Sequence, residues 1–110
     1  MSFKVQIEQG LTKKDWNIIL INKLSEWWED EYWKIQWKHS KGPELYIQFL
    51  IDPMDSSYIW EIRASKDLIH QRINHSTITS LSMSRGKFNI KLKEFINEIE
   101  AFRKSNVENN

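Results

Sequence analysis

The 110-residue sequence predicts an α+β fold: a mostly antiparallel meander sheet of about 4–5 strands, with an N-terminal and a C-terminal amphipathic helix packed on one face. Three observations predict it. Within 24–38, which holds four of the six tryptophans, hydrophobic periodicity changes from helical at Leu20, Leu24, Trp27 and Trp28 to alternating at Trp33, Ile35 and Trp37. Further alternating runs follow at short intervals, and neighbours joined by short turns pair antiparallel because parallel pairing needs a long crossover. Near the end, Leu92, Phe95, Ile96, Ile99 and Phe102 return to helical spacing.

Taken in order, Phe3, Val5 and Ile7 alternate with Lys4, Gln6 and Glu8, so the spacing predicts a short opening strand stopped at Gly10. Thr12 stands as a cap, Asp15 at the capping-box position, and Leu11 and Trp16 at the two positions of a hydrophobic staple. These predict a helix over 13–30 whose apolar stripe takes in Trp16, Ile19, Leu20, Leu24, Trp27 and Trp28. One local conflict stands out. Glu26, Glu29, Asp30 and Glu31 crowd the end of that helix, where the macrodipole disfavours negative charge by about 0.3–1 kcal/mol.

Strands are expected over 32–39, 44–51 and 58–64, with turn chemistry at 40–43 and 52–57. One or two helical turns capped by Ser65 are expected over 65–73, a further strand over 77–83 and a basic turn over 84–87. The last helix is expected over 90–104 with Asn89 as its cap, followed by a frayed polar tail at 105–110. No linker, repeat or low-complexity block divides the chain, so 1–110 reads as one domain.

Hydrophobic residues at 40% and charged residues at 28% are globular values. The absence of cysteine removes disulfides, thiolate zinc sites and cysteine nucleophiles. The N-terminus lacks the apolar core of a secretory signal, and no run approaches the roughly 20 apolar residues that span a bilayer. A cytoplasmic protein with no membrane partner is the expectation. Net charge is +1, with 7 basic against 9 acidic residues in 1–55 and 9 against 6 in 56–110. Duplex-binding domains show a stronger basic excess, which makes nucleic acid a less favoured partner.

Motifs for chemistry are sparse. His70 and His75 are five apart and sit in no metal-binding frame. Ser76, Ser80, Ser82 and Ser84 lack the glycine-flanked elbow of a serine nucleophile. Gly10, Gly42 and Gly86 are too scattered to cradle a phosphate, and nothing links Asp52, Asp55 and Glu61 as paired carboxylates. No catalytic, cofactor-binding or metal-ligating residue is assigned, and a non-enzyme is expected.

Two features suit recognition of another protein. By alternation, the sheet face away from the helices carries Tyr32, Lys34, Gln36 and Lys38, then Tyr46 and Gln48, then Ile59, Glu61 and Arg63. That mixture fits an ordinary wet face, and it also fits an interface, where tyrosine and arginine dominate binding energy. A small core cannot hide six tryptophans completely, and Trp28 and Trp33 flank the acidic Glu29, Asp30 and Glu31. Rings beside carboxylates supply anchoring area and steering for a basic partner. The candidate partner-binding residues are therefore Trp28, Glu29, Asp30, Glu31, Trp33, Tyr46, Glu61 and Arg63.

The expected function is a small non-enzymatic protein-binding module, of the immunity type by which bacteria mask a toxin or another basic partner. The alternative is a nucleic-acid-associated regulatory domain using Arg63, Arg72, Arg85, Lys87, Lys91 and Lys93. An enzyme without a recognisable motif comes third. An exposed sheet edge leaves a homo-oligomer open.

Overall fold

Ile47 and Phe49 on one strand, Ile62 and Ala64 on the next and Leu81 on the last fall on a common side of a sheet, because side chains alternate along each strand. In a computed structural model describing residues 2–39, 44–68, 77–84 and 86–108, that side is the core. The elements are α1 (Phe3–Thr12), β1 (Trp16–Glu26), β2 (Glu29–Trp37), β3 (Leu45–Asp52), β4 (Asp55–Ser65), β5 (Thr77–Ser82) and α2 (Phe88–Glu108). The strands form one antiparallel sheet in the order β1-β2-β3-β4-β5. Ile7 and Leu11 from α1 and Phe95, Ile96 and Ile99 from α2 join the inward strand residues in one cluster. Burying each such side chain contributes about 1.5–3 kcal/mol.

The α+β class, the meander and the two flanking helices match the expectation, but the first two elements do not. Residues 3–12 are helical. Phe3, Ile7 and Leu11 stand at i, i+4 and i+8, a helical stripe that the overlapping alternation of Phe3, Val5 and Ile7 obscures. Val5, off that stripe, is exposed. Ser2 caps the helix, its Oγ accepting from the Val5 N–H at 3.3 Å. Gly10 does not stop a strand; it lies within α1, and a Cβ there would sit 3.3 Å from Cγ1 of Ile96. Its lack of a side chain lets the two helices approach, which offsets the roughly 1 kcal/mol that glycine costs inside a helix.

The helix expected over 13–30 is instead β1, the Trp27–Trp28 turn and the start of β2. Ile18, Ile19 and Ile21 are β-branched and favour a strand. A strand end has no macrodipole to oppose the carboxylates that follow, so the conflict noted at Glu26 to Glu31 disappears. Thr12 and Asp15 do not cap a new helix. The Thr12 hydroxyl donates back to the Gln9 carbonyl at 3.1 Å, while Asp15 takes φ +68° in the turn between α1 and β1 and faces His39 Nε2 at 2.8 Å.

Further along, the strands expected over 32–39, 44–51, 58–64 and 77–83 are β2 to β5 with shifted ends. β4 carries a register shift at Trp60, since Ile59 pairs with Ile51 and Glu61 with Leu50. That bulge re-phases the strand and moves Ile59 from the outer face to the core, correcting the strict alternation expected there. The turn at 40–43 and residues 69–73 of the expected helical turns lie outside the described residues. Ser65 closes β4 and donates from its hydroxyl to the Asp67 carbonyl at 2.8 Å, so it caps no helix. The last helix starts at Phe88 and runs through Glu108, which places Asn89 inside it and extends helix into the expected tail.

One polar network fastens α2 to the sheet. Trp16 Nε1 donates to Glu100 at 2.9 Å, and Arg103 grips the same carboxylate through Nε at 3.0 Å and Nη2 at 3.1 Å. The Arg103 guanidinium in turn stacks 3.9 Å from the Trp37 ring centroid. Burial pushes the Glu100 carboxyl up, but the hydrogen bonds from Arg103 and Trp16 and the charges of Arg103 and Lys104 outweigh it and hold it below its usual range. A depressed carboxyl contributes stability that is present above its unfolded pKa of about 4.3 and is lost as pH falls through the lower folded value. Glu100→Gln is therefore expected to cost about 1–3 kcal/mol at pH 7, and the gap to the native chain should narrow towards pH 3. Urea unfolding at the two pH values reads this, and an equal gap at both would contradict it.

Candidate functional site

The acidic stretch at the start of β2 is largely used up inside the protein. A register shift between Glu29 and Glu31, which pair with Leu50 and Phe49, adds one residue and turns neighbouring carboxylates to opposite sides of the sheet. Asp30 and Glu31 meet α1. Lys4 Nζ donates to Asp30 Oδ2 at 2.7 Å and also to Glu31 Oε1, and it lies 5.2 Å from the Phe49 ring centroid. The second oxygen of Glu31 accepts from Trp33 Nε1 at 2.7 Å. Burial pulls the Lys4 ammonium down, yet the hydrogen bonds and charges of Asp30 and Glu31 more than compensate and leave it above its ordinary value. A raised lysine keeps its contribution at neutral pH and loses it only when pH climbs through the folded value.

Trp33 does not reach the surface, as its place beside the acidic turn suggested. It is 3% exposed, packs edge-on against Phe49 with ring centroids 4.8 Å apart and has its N–H satisfied by Glu31. Trp28 is half-buried and fastened to the sheet, its carbonyl accepting from the Ile51 N–H at 2.8 Å. The most exposed tryptophan is Trp27, at 75%. Its position at the tip of a hairpin became visible only once 16–26 is read as a strand.

Glu29 turns to the other face and accepts from Gln48 Nε2. That outer face, which neither helix covers, brings together Glu29, Tyr46, Glu61 and Arg63 of the candidate residues. Asn22, Tyr32, Gln48, Arg63 and Ser80 form a row across all five strands. Asn22 Nδ2 donates to Tyr32 Oη at 3.0 Å, Tyr32 meets Tyr46 edge-on at 6.2 Å, and Lys34 lies 5.8 Å from the Tyr46 ring while pairing with Glu44 at 2.6 Å.

The centre of this face is not ordinary wet surface. Gln48 is 1% exposed and Ser65 is fully buried. Arg63 Nη2 donates to Glu61 Oε2 at 2.7 Å, whereas its Nε and Nη1 are buried without a hydrogen-bond partner among the described residues. A guanidinium has five N–H donors, and leaving buried donors unpaired costs about 1–3 kcal/mol. Among the described residues no group of three or more His, Asp or Glu side chains is placed to hold a metal, and no helix is long and apolar enough to cross a membrane.

Comparison with protein-family models, with curated proteins and with solved structures finds no match.

Separating the two roles of the acidic stretch gives a direct test. Glu31→Ala removes the acceptor of the buried Trp33 N–H and one arm of Lys4, and is expected to cost about 1–3 kcal/mol. Asp30→Asn alters a partly exposed pair and should cost under about 1 kcal/mol. Chemical denaturation followed by tryptophan fluorescence compares them, and equal small losses would show that Glu31 is not structural.

Proposed function

We propose that the chain is a non-enzymatic protein-binding module that recognises its partner through the outer face of the sheet. One observation carries the reading: among the described residues no helix covers this face, and at its centre lies Arg63 with two buried guanidinium nitrogens that have no acceptor among those residues. A carbonyl or carboxylate from a bound chain, reaching in as neighbouring side chains yield, satisfies those donors. Tyr32 and Tyr46 beside it offer rigid, amphipathic area of the kind that dominates interface energy. Lys34, Glu44, Glu61 and Arg63 mix charges of both signs around the rings, which suits a partner of matching mixed charge.

The finer reading is an immunity-type role, in which the bound protein is a toxin silenced by masking. A basic occupant of the outer face would find Glu44 and Glu61, whose side chains are 36% and 25% exposed, as its accessible carboxylates. That role rests on the same binding function and adds to it only the identity of the occupant.

Affinity capture from the source cell's lysate with the native chain and with Tyr46→Ala, Arg63→Lys and Asp30→Lys variants tests the proposal, each variant's fold being checked by circular dichroism. A partner held by the native chain should be lost by about tenfold or more on Tyr46→Ala or Arg63→Lys and retained by Asp30→Lys. Loss on Asp30→Lys alone would move recognition to the acidic stretch and contradict the outer-face assignment.

A further inference from the structure

β1 lies at the edge of the sheet and, among the described residues, pairs on one side only, with β2. Edge strands of monomeric proteins are commonly guarded by lysine, by proline or by being short. This one is 11 residues long, and 16–22 holds no charge and no proline. Ile19, Leu20 and Ile21 are each 46% exposed. The opposite edge, β5, has six residues and presents Ser80 and Ser82 to solvent.

The sequence Asn17-Ile18-Ile19-Leu20-Ile21-Asn22 reads the same in both directions once leucine and isoleucine are equated. A twofold axis perpendicular to a sheet pairs two copies of one strand antiparallel and requires residues opposite each other to lie on the same face. In a regular strand Asn17 and Asn22 lie on opposite faces, and the symmetric pairing fails. The register shift at Ile19 supplies the missing residue. Asn17 pairs with Gln36 and Asn22 with Tyr32, both on the outer face; Ile18 pairs with Ile35 and Ile21 with Trp33, both on the inner face. The bulge therefore sits at the centre of the palindrome and brings its two arms into phase.

We propose that two copies of this chain form a twofold dimer through β1, with Asn17 opposite Asn22, Ile18 opposite Ile21 and the Ile19 bulge at the axis, joining the two five-stranded sheets into one. Lys23 then lies opposite Trp16 of the second copy, so no like charges face each other over 16–23. The interface covers the exposed apolar run with its own equivalent and satisfies the free edge of the backbone. It leaves the outer face around Tyr46 and Arg63 uncovered, and it stands or falls independently of the proposed function.

Sedimentation velocity of the native chain is the first arm. The expected species has twice the 13.3 kDa chain mass, and Leu20→Lys, which brings two ammonium groups to the axis at a half-exposed position, should return it to the monomer while circular dichroism stays unchanged. The second arm uses the absence of native cysteine. In an Asn17→Cys, Asn22→Cys variant the two thiols are roughly 16 Å apart within one chain, too far for a disulfide. Oxidation should therefore yield a covalent dimer, whereas Ser80→Cys on the β5 edge should not enrich one. A native chain that sediments as a monomer at high micromolar concentration, a dimer that survives Leu20→Lys, or a paired-cysteine variant that stays uncrosslinked overturns the proposal.

Discussion

The contact of Lys4 with Asp30 and Glu31 decides which surface of this protein is available to anything else. It seats the first turn of α1 on the start of β2, and through Glu31 it reaches the indole N–H of Trp33 in the core. Three consecutive carboxylates would otherwise form an anionic corner. Two of them are buried and hydrogen-bonded, and the third is paired. The β2 bulge makes this possible, because it sends Asp30 and Glu31 to the helical side and Glu29 to Gln48 on the other. Among the described residues, neither helix covers the outer sheet face and the β1 edge has no strand partner, and these two surfaces carry the two recognition proposals.

The two helices explain why the faces differ. Both pack on the inward side, where Ile7, Leu11, Phe95, Ile96 and Ile99 fill the space above β2 to β5. Gly10 permits a close approach between them at Ile96, and the Glu100 network fixes α2 against Trp16 and Trp37. With both helices committed to one side, neither covers the outer side. Gln48 and Ser65 are buried there beside the Tyr32–Tyr46 ring pair, which gives the face a dry centre.

Much of the fold was legible where one periodicity stood alone. The alternation of Leu45, Ile47 and Phe49 admits only a strand, and the spacing of Leu92, Phe95, Ile96 and Ile99 admits only a helix. The N-terminal third was misread because two periods coincide there. Phe3, Val5 and Ile7 alternate, yet Phe3, Ile7 and Leu11 also make a helical stripe. In 16–26 an edge strand that is apolar on both faces imitates the wide stripe of a buried helix. The acidic run at 29–31 was a warning, since carboxylates at a helix C-terminus oppose its dipole. Tyr46, Glu61 and Arg63 were placed on the outer face by alternation alone, and they lie there. The burial of Glu31 and Trp33 was not legible, because it depends on Lys4 arriving from a helix that the alternation concealed, and that of Glu29 was not, because it depends on the β2 bulge.

The central claim is that the acidic stretch works inside the protein and not as a free surface charge. A double-mutant cycle with Lys4→Met and Glu31→Gln tests it most directly, because glutamine keeps an acceptor for the Trp33 N–H and so isolates the ion pair. A coupling energy of at least about 1 kcal/mol in urea unfolding is the predicted result. Additivity within about 0.3–0.5 kcal/mol would mean that Lys4 and Glu31 act independently, and would contradict the claim that their ion pair fastens the acidic stretch.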